Sequence, residues 1–158
     1  MTYENQEQIE ELVQRFAAIP GRLTRAIAEK TPDQLHIAPV PGAWTAGEVL
    51  AHMRAVDAIM TTRIIMLLAR DAPPLVAFDE RRWAEVAGYA NTDMHLSVSL
   101  LTLRRAEVVA ALQQLPPEAW QRSGQHETRG TMSVRDIVQD MLVHEEEHCS
   151  QIEKLFVA

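Results

Sequence analysis

The sequence predicts an all-α fold, a four-helix bundle with long crossover connections, and three observations carry that expectation. Apolar residues make up 47% of the chain and are mainly Ala, Leu, Ile, Val and Met, a set that favours helix over sheet. Alternation of period two among β-branched residues is nearly absent. Four long stretches instead repeat their apolar residues at helical spacing, and prolines, glycines and polar runs separate them. Residues 1–158 read as a single domain. At this length a compact fold removes roughly 70% of the surface of the unfolded chain, so a core forms without disulfides or a structural metal.

The elements follow in order. Ile9, Leu12, Val13, Phe16, Ile19, Leu23 and Ile27 share one stripe, and the phase survives Pro20-Gly21, which predicts a first long helix over roughly 4–30. Three prolines between Thr31 and Trp44 mark a connection with turns. Thr45-Ala46-Gly47-Glu48 has the capping-box pattern and opens a second helix, expected from about 46 to 70 and stopped before Pro73-Pro74. A short helical piece around Trp83 is expected over 79–90, with Gly88 near its end. Leu96, Ser99, Leu100, Leu103, Val108 and Leu112 supply the inner stripe of a third long helix over about 92–115, and Pro116-Pro117 stops it. The polar, glycine-bearing stretch 116–132 reads as a long loop. Ser133 then caps a fourth helix whose inner face carries Ile137, Met141, His144, His148, Ile152 and Leu155.

Composition narrows the function classes. A net charge of −7 leaves no footprint for nucleic acid or for an anionic membrane surface, and no apolar run approaches the ~20 residues that span a bilayer. The single Cys149 cannot form an intramolecular bridge, and the first residues lack the basic flank and apolar core of a secretory signal, so the expected location is cytoplasmic.

His144-Glu145-Glu146-Glu147-His148 is the most informative segment. Histidines four residues apart project from the same side of a helix, so both imidazoles reach one metal ion. Two ligands hold an ion weakly, which makes a third the question. His52 lies in phase with Val49, Val56 and Ile59 and should face the bundle interior. Three imidazoles from two helices would leave coordination positions free for water or substrate, the arrangement of a catalytic site rather than a closed structural one. Such a donor set suits a divalent ion of the zinc or nickel type.

Pro41-Gly42-Ala43-Trp44-Thr45 with Glu48-Val49-Leu50-Ala51-His52, and His144-Glu145 through His148 to Gln151-Ile152, together resemble the two signature segments of the DinB-like superfamily. The resemblance spans essentially the whole chain. It implies an up-up-down-down-type bundle, often a homodimer, with a divalent metal at the three matching histidines, His52, His144 and His148. It also implies a small-molecule substrate, and some branches use the low-molecular-weight thiols bacillithiol or mycothiol in transfer and isomerisation. The family name refers to DNA damage and implies no binding of nucleic acid.

Two other readings compete with a thiol transferase or hydrolase of this kind. His144-Glu145-x-x-His148 satisfies the H-E-x-x-H pattern of zinc proteases, but only ten residues follow His148 and none is a histidine. A non-enzymatic metal- or ligand-binding stress protein would need the same three histidines. Within the Glu145–Glu147 run a solvated face is the plain expectation for Glu145. Asp140 and Gln151, each about one turn from a ligand, are candidates to orient an imidazole. Of Arg104-Arg105, one guanidinium could meet an anionic substrate while the other faces outward; Cys149 is expected to be buried and inert, and Trp44 to pack over the start of the second helix. His36, His95 and His126 are expected to stand apart from the ligands.

Overall fold

The computed structural model describes residues 3–156, in which six α-helices and a small sheet follow one another. Helix α1 (Tyr3–Ile27) continues through Pro20 and buries the anticipated stripe from Leu12 through Phe16 and Leu23 to Ile27. Within the expected irregular connection lies a one-turn helix α2 (Pro32–Leu35). Thr31 Oγ1 accepts from the Gln34 backbone N–H, and the Gln34 side chain accepts from that of Thr31, a reciprocal cap. Helix α3 (Ala46–Ala69) starts at its own reciprocal cap, with Thr45 and Glu48 exchanging bonds of 2.9 and 3.1 Å. Helix α4 (Glu80–Ala87) is capped by Asp79 and ends at Gly88, whose φ of 63° suits a residue without a Cβ.

Helix α5 (Met94–Leu112) departs from the expected phase. Leu96 and Leu103 are 51% and 70% exposed, while Ser97, Val98, Leu101, Arg105, Val108, Val109 and Leu112 face inward. Apolar residues surround this helix on every side, so periodicity alone does not select a face; a buried ion pair at Arg105 does.

The expected long loop contains structure as well. A 3₁₀ turn at Pro117–Gln121 precedes strand β2 (Ser123–His126), which pairs antiparallel with β3 (Gly130–Ser133) and parallel with a two-residue strand β1 (Pro74–Leu75). These strands are too short and too polar to show alternation. Gly124 makes their close approach feasible, because a Cβ there would lie 2.4 Å from the Pro73 carbonyl oxygen and 2.9 Å from a Leu67 methyl. Helix α6 (Val134–Lys154) begins at Ser133, whose hydroxyl accepts from the Asp136 N–H.

Helices α1 and α3 each pack against both α5 and α6, so the four long helices enclose one core that includes Phe16, Met53, Leu101 and Met141. The packing of α3 against α6 is what brings the histidine-bearing segments together. Among the described residues no helix is long and apolar enough to cross a membrane.

Candidate metal centre

His52 stands on the second turn of α3, and His144 and His148 are one turn apart on the facing α6. Their three ligand nitrogens lie within 4.8 Å of one another, and no other residue joins this group among those described. His144 Nε2 is 2.9 Å from His52 Nε2 and 3.1 Å from His148 Nε2. Nitrogens bonded to one cation at about 2.1 Å are separated by roughly 3.0–3.4 Å across ligand angles between octahedral and tetrahedral. The observed spacing sits at the contracted end of that range. One N–H can serve only one such contact well, whereas three lone pairs aimed at a common point suit a cation.

Local chemistry keeps the nitrogens in the coordinating form. Burial, reinforced by the neighbouring imidazoles, lowers His52 to about 3 and His144 to about 4, so both are neutral at physiological pH. His148 Nδ1 lies 2.8 Å from Gln151 Oε1, an acceptor that places the ring proton on Nδ1 and leaves Nε2 free to bind. The Trp44 ring rests against His52 with centroids 5.0 Å apart.

The centre borders a cleft of about 860 Å³ whose walls include Trp44, Glu48, Glu80, Arg81, Tyr89 and Gln151. Glu80, at the start of α4, places Oε2 3.9 Å from His52 Nε2. Burial raises the Tyr89 hydroxyl above its ordinary range, so it stays protonated. Trp44 therefore does more than cover the start of α3. Sequence reasoning missed Glu80 and Tyr89, since neither shares a helix or a spacing with the histidines.

Comparison with known proteins places this geometry in a family. The model of the DinB superfamily matches residues 7–152, a span that includes all three histidines. The chain belongs to the DinB superfamily. A relative in Oceanobacillus iheyensis named "Putative metal-dependent hydrolase" is 23% identical over 147 residues, covering 93% of this chain and 85% of that protein. Bacillus subtilis YfiT, named in the same way, is 23% identical over 152 residues. The solved structure of YfiT, described as a probable metal-dependent hydrolase with an unusual four-helix bundle topology, superposes with a TM-score of 0.88 at 22% identity and covers 98% of this chain and 87% of that one. A mycothiol-dependent maleylpyruvate isomerase superposes with a TM-score of 0.74 at 14% identity, covering 96% of this chain and 63% of its own.

In this DinB superfamily chain the remaining sequence candidates separate cleanly. Gln151 reaches His148, as its spacing suggested. Asp140 instead pairs with Arg129 at 2.6 Å, away from the imidazoles. Glu145 is not on a solvated face: it is 2% exposed, and its Oε1 accepts from Arg105 Nη2 at 2.6 Å. That orientation removes Glu145 from the role the H-E-x-x-H pattern would give it beside the metal. Neither Arg104 nor Arg105 meets the cleft, because both bind Asp57. Cys149 is fully buried, and burial pushes its thiol up to about 12, which fits an inert residue. His36 and His95 are exposed and His126 lies on β2, all outside the group.

Proposed function

We propose that the protein is a metal-dependent enzyme acting on a small molecule, with His52, His144 and His148 holding a single divalent ion of the zinc or nickel type. The observation that carries this reading is the convergence of three imidazole nitrogens beside a cleft of about 860 Å³. A divalent ion there supplies Lewis acidity toward a water or thiol nucleophile near neutral pH. The rest is done by the chain's own residues. Gln151 fixes the His148 tautomer. The Glu80 carboxylate, 3.9 Å from His52, is placed to accept a hydrogen bond from a group bound beside the triad. Trp44 and Tyr89 form an aromatic wall, their centroids 6.3 Å apart, and Arg81 adds a positive charge to the cleft for an anionic part of the substrate.

Two nucleophiles fit this centre. The names of the relatives favour water and hence hydrolysis. The mycothiol-dependent neighbour favours S-transfer from a low-molecular-weight thiol. Cys149 supports an external thiol in the second case, since it is buried and protonated. The family resemblance also implies a homodimer, whose mass sedimentation equilibrium reads, and the single cysteine fits a cytoplasmic location.

Elemental analysis of the purified protein beside His52→Ala tests the centre directly. The expected outcome is one divalent ion per wild-type chain and a loss of most of it in the variant. Metal-free protein from metal-supplemented medium would refute the assignment. A panel of thiols with electrophiles, run beside a panel of hydrolysable esters and amides, then separates the reactions, and turnover is expected to vanish in His148→Ala. Stoichiometric binding with no turnover on either panel would favour a binding protein over an enzyme.

A further inference from the structure

Beneath the centre, the bundle buries three ionisable side chains, Asp57, Arg105 and Glu145, where apolar side chains would ordinarily close a core. Arg105 on α5 is 2% exposed; its Nη2 donates to Asp57 Oδ1 on α3 at 2.9 Å and to Glu145 Oε1 on α6 at 2.6 Å. Its Nη1 donates to the Phe16 carbonyl on α1 at 2.7 Å, and its guanidinium lies 3.5 Å from the centroid of the Phe16 ring. Arg104 Nη1 binds the second Asp57 oxygen at 2.8 Å, which balances two carboxylates with two guanidiniums. The Arg105 side chain thus links its own helix, α5, to the other three of the bundle.

A buried cluster of this kind is a poor source of net stability, because desolvation offsets much of the Coulomb gain and apolar replacement is commonly neutral or stabilising. Its bonds are directional, however, whereas apolar contacts tolerate sliding. The two helices that it ties across the core, α3 and α6, are the two that carry the proposed ligands. Asp57 follows His52 by five residues, and Glu145 sits between His144 and His148. A slip of one residue along a helix is an axial shift of about 1.5 Å. That is half of the 2.9 Å that separates His52 Nε2 from His144 Nε2.

We propose that the Arg105, Asp57 and Glu145 cluster is the positioning device of the metal centre, fixing the axial register of α6 against α3 so that the three imidazoles converge. These three are positioning residues, since none touches the cleft or the histidine ring nitrogens. The proposal rests on the metal-binding reading above. Titration of the full-length apo-protein with cobalt(II), followed by visible absorption and paired with thermal melts, tests both separately. Wild type is expected to bind one cobalt ion; no binding would refute the metal reading itself, and the proposal with it.

Glu145→Gln keeps the side-chain volume and is expected to weaken cobalt(II) binding about tenfold, the low end of what loss of a direct partner of a ligand costs because it acts through helix register, and to shift the visible bands. The combined apolar variant Arg105→Met, Asp57→Leu, Glu145→Met removes every buried member at once and leaves the half-exposed Arg104 to solvent. It is expected to melt at or above the wild-type temperature while its affinity stays reduced. Affinity that recovers together with stability in that variant would show the cluster to be merely structural and overturn the proposal. So would wild-type affinity and spectrum in Glu145→Gln. Glu146→Gln, on the outer face against Arg15, serves as the control and should bind as wild type.

Discussion

A ring nitrogen that binds a cation must present a lone pair, so the proton on the opposite nitrogen has to be held elsewhere. Of the three histidines only His148 has that partner within the protein, the 2.8 Å contact from Nδ1 to Gln151 Oε1; the Nδ1 atoms of His52 and His144 are buried with no partner among the described residues. Gln151→Leu should therefore lower metal affinity about 10–100-fold by calorimetric titration. Its effect on the melting temperature of the apo-protein should be small, because Gln151 is exposed and a surface change of this kind costs within about 0.5 kcal/mol. The triad and Gln151 were legible in the sequence because each obeys a helical spacing. Glu145 was not. In a run of three glutamates the residues are chemically identical, and only Arg105, forty positions away, distinguishes the one that turns inward. Long-range pairing of this sort leaves no local signature.

At the scale of elements, helix starts were the most readable features, since caps are short-range chemistry. At the start of α6 the Ser133 hydroxyl and backbone N–H both donate to Asp136 Oδ2, at 2.7 and 2.9 Å. Those bonds, with the backbone contribution first, hold the Asp136 carboxyl below its usual range. A carboxyl whose folded pKa is depressed adds stability that is fully present above its unfolded value, near 3.8, and is lost as pH falls through the folded value. Asp136→Asn should then be less stable than wild type at pH 7 by about 0.3–1 kcal/mol, the usual worth of a charge at an exposed helix N-terminus. The two proteins should converge as the solution is acidified from 3.8 down through the folded value, which melts recorded across pH will show. A constant gap down to the lowest pH would mean that the carboxylate charge is irrelevant to the cap. Less legible were the phase of α5, where apolar residues ring the helix, and the small sheet, whose four-residue strands are Ser-Gly-Gln-His and Gly-Thr-Met-Ser. Gly124 gains its meaning only from Pro73 and Leu67 in distant segments.

For the whole molecule, the bundle and the centre make separate contributions to stability. Phe16, Leu23, Val49, Ile64, Val108, Ile137 and Leu142 are completely buried, so the fold has a continuous apolar core independent of any ion. A chain of 158 residues with such a core should remain helical when stripped with a chelator, unlike small domains that fold only around their metal. A ligand that binds only the folded state still adds RT ln(1 + [L]/Kd), about 2.7 kcal/mol at a free concentration of 100 Kd. In a chain of this size that corresponds to a rise of roughly 5–10 °C in melting temperature. Calorimetry of the apo-protein with increasing zinc or nickel should show the transition climbing with the logarithm of metal concentration and retaining one cooperative step. His52→Ala should melt near the wild-type apo temperature or below it and respond little to either metal, since two imidazoles on one helix hold an ion weakly. An equal metal-dependent rise in that variant would place the stabilising ion elsewhere on the molecule and remove His52 from the centre.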